Sequence, residues 1–138
     1  MSRMEHAHRE ALQNVLIEST TGSFRVKVSG ESMVPSLRDG DNVLVRKSWL
    51  YLPGDILAFL QGDQIILHRL LGWNFISGHW SWIAKGDNRS ALDRPFRRAS
   101  VVGKVVQIER DQHTWKESGI ARLGHWLASL RHYVSSRI

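Results

Sequence analysis

The sequence has 138 residues and a net charge of +6, with 42% hydrophobic and 23% charged residues. That is the composition of one globular domain able to bury a core, not of a disordered chain. The absence of cysteine excludes a disulfide framework, a thiol nucleophile and cysteine-ligated metal sites. The basic balance favours an anionic partner, either a membrane surface or a nucleic acid.

Residues 4–18 read as a short helix, with Ala11, Leu12, Val15, Leu16 and Ile17 on its apolar side and Glu5, His6, Arg9, Glu10 and Gln13 on its wet side. The stretch from Met1 to Thr20 is polar and lacks the basic-then-apolar layout of a secretory signal peptide. Strands are expected next. Phe24, Val26 and Val28 alternate with Arg25 and Lys27. Val43 to Val45, Ile56 to Leu60, Ile65 to Leu71 and Trp80 to Ala84 follow or precede turns. Val101 to Ile108 is a further strand with a bulge expected at Gly103, and Gln112 to Trp115 a last short one. Four Gly-Asp pairs punctuate these runs as turn chemistry rather than as a repeat. The fold class expected is mainly β, a twisted antiparallel sheet or small barrel. Residues 119–138 read as an amphipathic basic helix on Ile120, Leu123, Leu127, Leu130, Val134 and Ile138, flanked by Arg122, Arg131 and Arg137. The organisation expected is a single domain over 1–138. It comprises an N-terminal helix within 1–22, a β core over 23–116 and the basic helix over 117–138.

Three segments carry candidate chemistry. In Gly30-Glu31-Ser32-Met33-Val34-Pro35 a serine lies between a strand end and a proline turn, which can hold the hydroxyl outward beside free N–H groups. Most serines in such turns only hydrogen-bond locally. In Ile65-Ile66-Leu67-His68-Arg69-Leu70-Leu71 a histidine interrupts an apolar run. A serine hydroxyl needs a neighbouring base, and an imidazole, with an ordinary pKa of ~6.5, suits that role. In Ala84-Lys85-Gly86-Asp87-Asn88-Arg89-Ser90-Ala91-Leu92-Asp93 either aspartate could hold the imidazole's second nitrogen. The plainer alternatives are that Asp87 closes a turn and that Asp93 pairs with Arg94, Arg97 or Arg98.

Taken together, Ser32-Met33-x-Pro35 with Gly40-Asp41, then Gly54-Asp55-Ile-Leu-Ala-Phe before His68-Arg69, then Lys85-Gly86-Asp87-Asn88 with Asp93, then Val102-Gly103-Lys104-Val105, resemble the signal peptidase I superfamily over about residues 24–110. The resemblance implies Ser32 as nucleophile and His68 as base, in the position where one branch has lysine and the endoplasmic-reticulum, archaeal and sporulation-like branch has histidine. It implies Asp93 as the third catalytic residue, and Asp87, Gly30, Met33 and Pro35 as assisting or structural positions. It implies no metal and no organic cofactor. Some members carry a hydroxyl donor two residues before the nucleophile, where this chain has Gly30. The resemblance further implies an extended peptide or preprotein substrate with small residues before the cut, bound by pairing with a sheet edge. A histidine base implies activity that falls as pH drops through about 6–7.

The typical member has a membrane anchor before the serine, and no apolar run here approaches the ~18 residues that a span needs. The expectation is therefore a cytoplasmic protein with a leader-like substrate. Peripheral contact with an anionic membrane is left open to residues 119–138 and to the tryptophans at 73, 80 and 82. A self-cleaving repressor of the same superfamily would use lysine at position 68 and cut at Ala-Gly or Cys-Gly, and neither dipeptide occurs. The competing class is an inactive peptide- or membrane-binding module on the same fold. No nucleic-acid partner is expected, because no basic patch with interleaved aromatics stands out.

Overall fold

The computed structural model describes residues 22–136. Seven strands form one antiparallel sheet: β1 (Ser23–Lys27), β2 (Asn42–Arg46), β3 (Ile56–Gln61), β4 (Gln64–Ile76), β5 (His79–Lys85), β6 (Val101–Arg110) and β7 (His113–Trp115). A 3₁₀ turn (Arg98–Ser100) precedes β6, and a helix, α1 (Gly119–Ser135), follows β7. The order is β1-β2-β6-β3-β4-β5, with β7 added to β6. The protein is mainly β, as expected. Among the described residues β1 and β5 do not pair, so the sheet is open rather than a closed barrel. The helix expected at 4–18 lies outside the described residues.

β3 divides two cores. Ile56 and Ala58 face Phe24, Val43, Val45 and Ile108. Leu57 and Phe59 face Tyr51, Leu70, Trp82, Ala84 and Phe96. A strand buried on both faces reads as a continuous apolar run, which is why Ile56-Leu57-Ala58-Phe59 shows no alternation. Turn chemistry sets the hairpins. Ser77 and Gly78 both adopt positive φ (52° and 79°) between β4 and β5, as a two-residue hairpin loop of right-handed twist requires.

One boundary differs clearly from the sequence reading. β4 continues past Leu71 to Ile76, because Trp73, Asn74, Phe75 and Ile76 pair with Trp82, Ser81, Trp80 and His79. The register shift between Leu70 and Gly72 leaves Leu71 as the bulged residue, and Gly72 pairs with Ile83 as the strand continues. The strand around Gly103 is irregular as expected: the β3–β6 register shifts between Ala58 and Phe59. A Cβ at Gly103 would lie 2.7 Å from Val45 Cγ1 and 2.8 Å from the Arg46 carbonyl oxygen, so only glycine lets β2 and β6 approach so closely.

β1 and β2 are paired neighbours, yet 14 residues (28–41) lie between them, and that excursion carries Ser32. Its base is closed by Val28 N–H donating to the Asp41 carbonyl (2.7 Å) and Gly40 N–H to the Val28 carbonyl (2.9 Å). Met33 and Leu37 plug it into the core. Each such side chain contributes about 1.5–3 kcal/mol on full burial, so the segment around the serine is pinned rather than loose.

Candidate active site

Ser32 sits one residue before the Met33 plug, in the turn where Val34 N–H donates to the Glu31 carbonyl at 3.2 Å. His68 lies on β4, opposite Leu57 of β3, and is buried. The loop after β5 closes on itself when Asp93 N–H donates to the Ala84 carbonyl (2.9 Å), and Phe96 then pairs with Trp82. That closure returns Asp93 to the strand beside His68. Ser32 Oγ is 3.0 Å from His68 Nε2, and His68 Nδ1 is 2.5 Å from Asp93 Oδ2. A carboxylate accepts and does not donate, so Nδ1 carries a proton, and in the neutral ring Nε2 is the nitrogen left to accept from the serine hydroxyl. The side chains of His68 and Asp93 are only 7% and 10% exposed, so water competes little for either bond.

Gly86 is the contact point of these elements. A Cβ there would lie 2.6 Å from the Ser32 carbonyl oxygen, 3.1 Å from His68 Nε2 and 3.2 Å from Ser32 Cβ. The next turn clamps the nucleophile segment from outside: Asn88 N–H donates to the Ser32 carbonyl (2.8 Å) and Asn88 Nδ2 to the Glu31 carbonyl (3.1 Å). Lys85, fully buried, holds that turn from inside through its Nζ, which donates to the carbonyls of Gly86 (2.8 Å) and Arg89. Burial pushes its ammonium below the usual lysine range, against the raising pull of Asp87 and Asp93.

The remaining sequence candidates serve the frame. Asp87 accepts two hydrogen bonds from Arg69, Nε at 2.9 Å and Nη2 at 2.8 Å, and one from Ser36 Oγ at 2.7 Å; its N–H meets Met33 Sδ at 3.3 Å. It does more than close a turn. Asp93 faces His68, not Arg94, Arg97 or Arg98. Met33 is core. Pro35 follows a cis peptide bond. Gly30 has φ +85°, and its N–H donates to Asp39 Oδ1 at 2.8 Å. A side chain at Gly30 would therefore be strained. The Ser32 N–H makes no hydrogen bond among the described residues.

Arg69 went unassigned in the sequence and proves central. It is fully buried and binds Asp87, Glu117 (Nη1 to Oε1, 2.7 Å) and the Gly54 carbonyl (2.8 Å), with Ser36 Oγ and His125 Nδ1 also in reach. Burial pulls the guanidinium pKa down, but Asp87 and Glu117 more than offset this and raise it. Removing one partner of such a buried pair costs about 3–5 kcal/mol. The signal available was an arginine inside an apolar run, which must find a carboxylate. Which carboxylate it finds depends on the C-terminal segment folding back, and spacing does not encode that.

A cleft of about 410 Å³ lies between the end of β3 and the segment after Asp93, lined among others by Phe59, Gln61, Arg94 and Arg97; Ser32, His68 and Asp93 do not line it. Among the described residues no cluster of histidine and carboxylate side chains could hold a metal ion.

The model of the family described as peptidase S24-like matches residues 2–106. This chain belongs to the peptidase S24-like family. Comparison with curated proteins gives no match. The S24-like family is serine-peptidase-like, and its match spans β1 to most of β6, the part of the chain that holds Ser32, His68 and Asp93. β7 and α1 lie beyond it.

Proposed function

We propose that this S24-like protein is a serine endopeptidase with the catalytic set of the histidine-type signal peptidases, cutting a leader- or signal-like peptide after small residues. The observation that carries the reading is the continuous chain from Ser32 Oγ through the His68 ring to Asp93. In the proposed reaction Ser32 Oγ attacks the peptide carbonyl carbon while its proton passes to His68 Nε2. The C–N bond breaks, the leaving amine takes that proton, and an ester on Ser32 remains. Water activated by His68 then hydrolyses the ester and restores the hydroxyl. Asp93 keeps the imidazole in the required tautomer and balances the imidazolium that forms. The Ser32 N–H, which makes no hydrogen bond among the described residues, is a donor for the oxyanion.

Substrate binding by strand addition has a ready edge. β3 pairs with one side of β4, but β5 meets the other side only from Arg69 onward. The Ile65–His68 stretch thus has one edge without a strand partner among the described residues, and it ends at the base. An extended peptide on this edge would pass beside His68. Mass detection of cleavage of a peptide panel carrying Ala-x-Ala tests the reading. Wild type cuts and Ser32→Ala does not, whereas equal cutting by both overturns it.

A further inference from the structure

Helix α1 packs with its polar side inward. Arg122 Nη1 donates to Asp55 at 2.8 Å, His125 meets Glu117 at 2.9 Å, Trp126 Nε1 donates to the Leu71 carbonyl at 3.0 Å, and Ser129 is the buried residue. The apolar stripe faces solvent: Ile120 is 88% exposed, Leu123 56%, Leu127 51% and Val134 48%. A surface helix ordinarily turns such a stripe to the core. A second exposed apolar surface lies on the β4–β5 hairpin. Two residues beyond Leu71, where Trp126 is tied, the β4–β5 hairpin runs out of the core carrying Trp73, Phe75 and Trp80 on the face of buried Trp82. Phe75 is 58% and Trp80 63% exposed.

We propose that α1 and the β4–β5 hairpin dock this protein on an anionic lipid surface. The charge pattern selects that occupant. Residues 118–136 contain no aspartate or glutamate, exposed Arg131 flanks the stripe, residues 72–83 contain no Lys, Arg, Asp or Glu, and the chain carries +6. Apolar side chains at shallow depth, aromatic rings at the headgroup level and a flanking cation suit the bilayer interface. The stripe from Ile120 to Val134 is about 21 Å long, at 1.5 Å per residue, and lies along the surface. No helix among the described residues is long and apolar enough to cross a membrane. A second copy fits less well. The three-four spacing would allow a short helix pair, but two copies would set basic flank against basic flank with no carboxylate on either helix. Docking does not depend on the serine chemistry.

The test is co-sedimentation of the full chain with vesicles of phosphatidylcholine, with and without phosphatidylglycerol. The protein is expected to sediment with the anionic vesicles, less so as salt rises, and Ser32→Ala to behave as wild type. The triple variant Ile120→Ser, Leu123→Ser, Leu127→Ser alters only exposed positions, so the fold is kept, and circular dichroism checks this. Its partitioning falls more than about ten-fold, as expected when apolar area is withdrawn from the interface. Arg131→Glu weakens binding to the anionic vesicles alone. Absence of sedimentation with anionic vesicles overturns the proposal, and so does unchanged binding of the triple variant. A wild-type dimer that the triple variant breaks also overturns it, in favour of a second copy on the stripe.

Discussion

Gly86 has no room for a side chain beside Ser32. Its hydrogen occupies the space where a methyl would meet the Ser32 carbonyl at 2.6 Å, and a backbone atom cannot swing aside. Gly86→Ala therefore separates the strand end from the nucleophile segment, and with it Ser32 from His68. Displacements of about 1 Å at a reacting group cost on the order of 10² in rate. The expected result is a drop of that size in kcat for peptide cleavage, with a far-ultraviolet spectrum like that of wild type. Unchanged kcat would show that the Ser32–His68 spacing tolerates movement and does not limit the chemistry. This dependence could not be read from the sequence, where Gly86 looks like one more Gly-Asp turn. The close approach exists only once the 28–41 excursion and the β5 end meet.

At the scale of elements, the excursion that carries Ser32 is tied to the far end of β6. Asp41, buried at its base, accepts from Arg110 Nε at 2.8 Å and Nη2 at 2.7 Å, and from the Arg38 N–H at 2.9 Å. The Arg110 hydrogen bonds hold the Asp41 carboxyl below its ordinary value of 3.8, against burial, which raises it. A depressed folded-state pKa stabilises the fold above the unfolded value, and the contribution disappears as pH falls through the folded one. Arg110→Met should thus lose about 1–3 kcal/mol at neutral pH. Its deficit relative to wild type should shrink once the pH passes below 3.8. Urea titrations at a series of pH values measure this, and a constant deficit from neutral to acid pH would contradict it. Strand positions were legible where alternation was clear, as at β1, or where an apolar run followed a Gly-Asp turn, as at β2 and β3. The second half of β4 was not, because Gly72 reads locally as a stop while pairing with Trp80 and Trp82 is a tertiary matter. The Arg69–Asp87–Glu117–His125 network was hidden for the same reason: its members lie on four segments that only the folded chain assembles.

Over the whole molecule, one open sheet divides the labour. Its two cores fix β3 and β4, the excursion between β1 and β2 lowers Ser32 onto β4, and the loop after β5 brings Asp93 behind His68. The chain beyond the S24-like match returns through Glu117 and His125 to brace Arg69 and Asp87. The sequence motifs named Ser32, His68 and Asp93 separately. The folded chain sets them within hydrogen-bond reach of one another, which is the geometry that a base-activated serine needs. A serine activated by His68 becomes acylated during turnover. The direct measurement is the intact mass of the protein after brief exposure to an activated ester of a short peptide ending in alanine, quenched in acid, with the adduct mapped by proteolysis. One acyl group is expected on Ser32 in wild type and none at that position in His68→Ala. An adduct at Ser32 that forms equally fast without His68, or no adduct at Ser32 in folded wild-type protein, would contradict it.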